Sequence, residues 1–253
     1  HRGMSVWTGD LTRPDSLVGV ADGVEYVLNL TSRLAIENGS VRRTYVDGNQ
    51  HLIAACSRSR SVRTYLFTSS VAPYGDAGDA LVDEDHPVAP TYPLGEVLAE
   101  AERTILRAAR EHRFPAIILR CAAIYGPGRD PVDAMVGGVA TLYGDGRNYV
   151  SHIHLDDLLA VLERIPAEGQ PGSVYNVGDD EPLRQADVHA ELRQRLGMVP
   201  PRSFSPQAAL AAGIDPSVVG MSVASVRLDN RRLKHDLGLT LRHPSVRAWL
   251  DER

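Results

Sequence analysis

The strongest constraint on this chain is a repeated exchange between two hydrophobic patterns. Val24 to Leu30 (VEYVLNL), Arg63 to Thr68 (RTYLFT), Ala116 to Cys121 (AIILRC) and Ser173 to Gly178 (SVYNVG) are short apolar runs of strand length. Segments of helical length lie between them. Val46 to Cys56 is one. In another, Val97, Leu98, Ala101, Ile105, Ala108 and Ala109 recur every three or four positions, as one face of a helix does. Apolar strands separated by helices predict an α/β fold, a doubly wound parallel sheet covered on both sides.

The texture changes after the turn sequence Gly126-Pro127-Gly128. Glycines, prolines and short elements run to Asn148, a helical stretch is expected over Gln185 to Leu196, and the tail from Val226 is basic and polar with leucines at 228, 233 and 237. The expected organisation is a nucleotide-binding sheet over residues 1–126 and a smaller substrate lobe over 127–253, with 149–178 returning to the sheet. Ligands of such sheets bind beyond the carboxyl ends of the strands, so the cleft between the lobes is the expected site.

A formal charge of −5 gives no electrostatic case for a nucleic-acid or membrane partner. No apolar run approaches the ~18 residues that span a bilayer. Cys56 and Cys121 lack metal or CxxC spacing and read as reduced core thiols, which points to the cytoplasm. His152, His154, Asp156 and Asp157 spell H-x-H-x-D-D, but a polar strand running into a helix capped by Asp156 or Asp157 explains them, and no metal is expected. Gly144-Asp145-Gly146 reads as a tight turn and the arginines at 227, 231 and 232 as solvated charge.

Several pieces in order carry a resemblance: Asp10-Leu11, Leu30-Thr31-Ser32, Thr68-Ser69-Ser70 with Tyr74-Gly75, Tyr92, Ile124-Tyr125-Gly126-Pro127-Gly128, Asp156-Asp157-Leu158 and Tyr175-Asn176-Val177-Gly178. The chain resembles the NAD-dependent epimerase/dehydratase family, the extended short-chain dehydrogenases, whose nucleotide domain is a Rossmann sheet. The resemblance implies a bound NAD or NADP. Asp10 and Leu11, ending a strand, would meet its adenine, and Leu30, Thr31, Ser32, Tyr92 and Ala122 would line the rest of the cofactor. Asp10 also reads as an N-cap for the residues after it. The family's active-site serine falls on Ser70, which would hydrogen-bond the substrate oxygen, and its proton-transferring tyrosine on Tyr92. The implied substrate is a small polar molecule with a hydroxyl or ketone, a nucleotide sugar among them, and a homodimer is the default assembly.

The departures matter as much. The family lowers the tyrosine pKa with a lysine four residues on, but the chain reads Tyr92-Pro93-Leu94-Gly95-Glu96. A carboxylate facing a phenol at i,i+4 disfavours phenolate, so Glu96 is expected to raise the Tyr92 pKa. Three readings stay open: an oxidoreductase or epimerase, a redox-impaired cofactor-binding module, and a non-redox enzyme such as a cyclase with Tyr92 and Glu96 as acid and base. No Asp-Glu pair follows Ser70, which disfavours 4,6-dehydration. Tyr45-Val46-Asp47-Gly48-Asn49 stands where many relatives carry N-V-x-G-T. Val150-Ser151-His152 replace an arginine that grips a diphosphate, leaving Arg147 or Arg129 as stand-ins. The sequence opens at what reads as a third strand, SVWTGD, without GxxGxxG, so a segment upstream of His1 is expected. Residues 131–144 look short against the family.

Overall fold

A computed structural model describes residues 4–32, 41–129, 141–196 and 201–252. Its centre is a four-stranded parallel sheet: β1 (Tyr26–Asn29), β2 (Thr64–Ser70), β3 (Ala116–Cys121) and β4 (Val174–Val177), adjacent in that order. The expected α/β sheet is present, and all four apolar runs entered it.

The period of two explains the layers. Tyr65 and Phe67 of β2 and Ala116 and Ile118 of β3 point to one face, where α1 (Gly48–Ser59) and α2 (Pro93–His112) lie. Leu66, Ile117 and Leu119 point to the other, against α3 (Leu155–Glu168) and its Leu158, Val161 and Ile165. Every residue of β3 is buried, whereas two of the four in β1, Tyr26 and Leu28, are exposed, as a central and an edge strand should be.

One reading of β3 needs correction. AIILRC is not purely apolar, because Arg120 is buried within it. It is tolerated because Glu102 on α2 takes its guanidinium from Nε and Nη2, the shortest contact being 2.7 Å. Ser69 donates to the same carboxylate at 2.6 Å, and the guanidinium carbon sits 4.5 Å from the centre of the Tyr74 ring. A buried charge survives only with this kind of pairing.

Beyond the sheet come α4 (Gln185–Leu196), α5 (Pro206–Ala211), α6 (Pro216–Val223), α7 (Arg231–Leu237) and α8 (Val246–Asp251), with short two-stranded ladders. Ala123–Tyr125 pairs in parallel with His152–His154, and a separate small core joins Tyr125, Leu183, Leu192 and Trp249. Two expectations fail here. Ser5 to Asp10 is not a strand, since no described strand lies beside it to share a ladder, and Val6 is 94% exposed. The cap of α3 is His154, whose Nδ1 accepts the Asp156 N–H at 3.1 Å, while Asp157 accepts the backbone N–H of Arg242 and His243. Of the tail arginines, Arg227 and Arg231 are exposed as expected and Arg232 is half-buried, and each has a partner: Arg231 with Asp229, Arg232 with Glu84 and Asp85, and Arg227 over the Tyr149 ring. Gly144 and Gly146 do form a turn, both at positive φ. Of the stretch that looked short, 131–140 lies outside the described residues. No helix among the described residues is long and apolar enough to cross a membrane.

Candidate active site

The parallel strands deliver most of the expected residues to one edge of the sheet. Leu30, Thr31 and Ser32 follow β1, Ser70 ends β2 and Ala122 follows β3, so three neighbouring strands present them at their carboxyl ends.

The exit from β1 is built by a residue that the sequence reading passed over. Asn29, buried at the strand end, accepts the Thr31 N–H at 3.2 Å and its hydroxyl at 2.5 Å. Its own amide donates to Asn49 (3.2 Å) and to the Tyr65 hydroxyl (3.1 Å). Asn49 in turn donates to the Tyr45 carbonyl at 2.6 Å. The departure at Tyr45 to Asn49 is therefore used, because Asn49 closes a buried amide network that fixes the turn carrying Thr31. An asparagine ending an apolar strand was the available signal.

Asp10 lies in an exposed loop. Its Oδ1 accepts both the N–H and the hydroxyl of Thr12 at 2.8 Å, and these bonds hold its carboxyl below the usual range. It caps a turn rather than a helix, and it does not end a strand. Leu11 packs against α1, its Cβ lying 3.0 Å from where a Cβ on Gly48 would stand, and its carbonyl meets His51 Nδ1 at 2.7 Å.

The turn after Ser70 and the first turn of α2, which follows Tyr92, meet in a close approach. After Ser70 the chain makes a short turn over Ala72–Tyr74, whose first amide, on Ala72, donates to the Ser70 hydroxyl at 3.1 Å. The first turn of α2 rests on that turn at Gly95, where a Cβ would stand 2.6 Å from the Ala72 carbonyl oxygen. Only glycine allows this contact. Tyr92 is the N-cap residue of α2, in extended backbone, and Gly220 of α6 packs on its ring. No hydrogen bond joins Ser70 to Tyr92 among the described residues.

The Tyr92 phenol is pushed up to about 12, in the direction expected but for another reason: burial does it, while Glu96 points outward into solvent. The expected pairing of phenol and carboxylate is thus corrected. Tyr92 stands at the cap, before the helical turn on which an i,i+4 contact depends. Arg147 lines a 360 Å³ cleft together with Arg184, Asp76 and Asp79, next to the turn that begins at Ala72. Arg129 is exposed and donates its backbone N–H to Gly126.

The profile of the NAD dependent epimerase/dehydratase family matches residues 1–178. The chain belongs to that family. Among its relatives is the trifunctional UDP-glucose 4,6-dehydratase/UDP-4-keto-6-deoxy-D-glucose 3,5-epimerase/UDP-4-keto-L-rhamnose-reductase of Arabidopsis thaliana, 26% identical over 76% of this chain and 31% of that one. The chain thus spans about a third of that enzyme. A conserved protein of unknown function from Silicibacter pomeroyi is 31% identical, with a TM-score of 0.72 over 91% of this chain and 77% of its own. The dTDP-glucose 4,6-dehydratase of Bacillus anthracis, solved with NAD, is 21% identical, with a TM-score of 0.78 over 97% of this chain and 76% of its own, a likeness of fold.

Proposed function

We propose that this family member is an NAD(P)-dependent enzyme acting on the ketone of a nucleotide sugar, with Tyr92 as a neutral proton donor. The observation that carries this reading is the buried Tyr92 phenol at the cap of α2, its pKa raised to about 12. Such a group stays protonated at neutral pH and is a poor base, but it can give its proton to an oxygen that gains charge as a carbonyl is reduced. Ser70, at the end of β2, would hydrogen-bond the same oxygen. Leu30, Thr31, Ser32 and Ala122 at the strand ends, with Asp10 and Leu11 for an adenine, would hold a dinucleotide. The turn fixed by Asn29 supports that fit by ordering Thr31 before any ligand arrives. Bound there, the dinucleotide supplies the hydride. Arg147 would meet the diphosphate from the cleft it lines.

Substrate choice rests on the relatives, whose names point to nucleotide sugars. A 4,6-dehydration, in which water leaves across C5–C6, is disfavoured, since Val71 and Ala72 stand where an Asp-Glu pair would follow Ser70. One residue favours a second reading, a module that binds the dinucleotide without turning it over: Glu96 occupies the position of the family's lysine.

Titration of the purified protein with NADH and NADPH, then turnover of UDP-4-keto-6-deoxy-D-glucose, separates the two. Reduction of the ketone, lowered about 10²-fold or more by Tyr92→Phe, supports the enzyme. Binding without turnover in the parent, with activity appearing in Glu96→Lys, establishes the binding module. Failure to bind either dinucleotide overturns both.

A further inference from the structure

The H-x-H-x-D-D motif leaves a residue set that the proposed chemistry does not use. On the strand His152–His154 the two histidines share a face, yet only His154 enters a cluster with Asp156. The third member, His243, comes from the far end of the chain. The Asp157 carboxylate holds it there by accepting the backbone N–H of Arg242 at 2.7 Å and of His243 at 2.9 Å.

Asp156 Oδ2 lies 3.9 Å from His154 Nδ1 and 3.6 Å from His243 Nε2. One ligand atom of each residue lies within 4.8 Å of the other two. Both imidazoles are buried, 2% and 4% exposed, with ring centres 3.8 Å apart. Neither nitrogen of His243 nor Nε2 of His154 has a hydrogen-bond partner among the described residues. Buried polar atoms without partners are exceptions in folded proteins, and His243 Nε2, 3.6 Å from Asp156 Oδ2, is the one that faces the cluster. Glu252 Oε2 stands 3.3 Å from His243 Nδ1, the carboxylate-behind-histidine placement that orients a ligating ring.

We propose that His154, Asp156 and His243 form a binding site for a divalent transition metal of zinc's class, with a further position open to water. Ligands about 2.0–2.2 Å from a tetrahedral ion stand roughly 3.4 Å apart, so the Asp156 spacings of 3.9 and 3.6 Å close with small shifts. The two imidazoles, their ligand atoms within 4.8 Å, turn to bring one nitrogen each to the ion. Two imidazoles and one carboxylate select Zn²⁺ over Mg²⁺ or Ca²⁺. Two local contacts oppose the ion: the Asp156 N–H on His154 Nδ1 and the Arg242 guanidinium 3.8 Å from Asp156 Oδ2. Arg242 is 77% exposed on its side chain and free to swing away. A bound ion would tie the segment entering α8 to the first turn of α3.

The test uses the whole chain without a polyhistidine tag, stripped by chelator and dialysed against micromolar Zn²⁺, with Mg²⁺ in parallel. One equivalent of Zn²⁺ retained, with a rise in Tm that Mg²⁺ does not reproduce, is the expected result. Asp156→Asn should weaken binding at least tenfold while leaving the metal-free Tm unchanged, because the Asp156 side chain is 44% exposed. His243→Gln should lose the ion as well. The proposal fails if no stoichiometric Zn²⁺ is retained, or if both variants bind it like the parent. Ordered water would then account for the unpartnered nitrogens.

Discussion

Two acidic protons held past their ordinary range mark the residues on which pH acts. The Tyr92 phenol is raised from 10 to about 12 by burial. Its contribution to stability is complete below pH 10 and is lost as pH climbs towards 12, because the unfolded chain ionises first. Over neutral pH the group stays protonated, so ketone reduction is expected to show no alkaline limb due to Tyr92 below about pH 10, checked by the pH profile of kcat. Asp179 is the sharper case. It is buried after β4, its N–H donates to the His152 carbonyl at 2.6 Å, and its Oδ2 has no partner among the described residues. Burial, first, and the neighbouring acids Asp180, Glu181 and Asp157 raise its carboxyl from 3.8 to about 8. Its folded form therefore prefers to be neutral, and the stability it contributes below pH 4 drains away as pH rises through 8. Asp179→Asn should flatten that decline and gain at least about 1 kcal/mol at pH 8, read by urea melts across the range. A variant that declines as the parent does would show that Asp179 does not titrate there.

α2 is the element that places Tyr92, and it is held at two points. At its start Gly95 meets the Ala72 carbonyl, so Gly95→Ala forces backbone apart and should cost about 1–3 kcal/mol. If α2 positions Tyr92 through this contact, the same variant lowers kcat more than it raises KM. Further along, Glu102 answers Arg120 in the sheet. Removing Glu102 alone strands a buried guanidinium and should cost about 3–5 kcal/mol in denaturant melts, whereas replacing both by leucine should cost less than the two single losses together. The span of α2 was legible from its apolar face, Val97 to Ala109, although the helix runs from Pro93 to His112. Its anchors were not legible. A period of 3.6 says which side faces inward, but it does not reveal that Glu102 on that side meets an arginine 18 residues away in a strand. Nor does it show that Gly95 touches a carbonyl.

At the scale of the molecule, sequence disclosed what depends on local pattern: four strands, the helices over them, and the row of strand ends carrying Thr31, Ser70 and Ala122. It hid what depends on long-range meetings, such as Asn29 with Asn49, His154 with His243, or the burial that raises Tyr92. It also erred where a strand pattern had no neighbour, at Ser5 to Asp10. That error bears on assembly. Among the described residues β1 pairs on one side only, with β2. Tyr26 and Leu28 of this strand are 40% and 39% exposed, and Leu30, Val18, Trp7 and Val6 are more exposed still. A sheet edge with open backbone groups beside large apolar side chains is a template for another strand. These 253 residues, prepared alone, should therefore self-associate, with an apparent mass that grows with concentration in sedimentation velocity. Leu28→Lys puts a charge on the edge strand while leaving the β2 pairing intact, and should return the protein towards monomer with little change in Tm. Self-association that persists unchanged in Leu28→Lys would place the contact elsewhere, and the exposed groove beside Gln50, Ile53, Arg107 and Glu111 on α1 and α2 would be the next surface to charge.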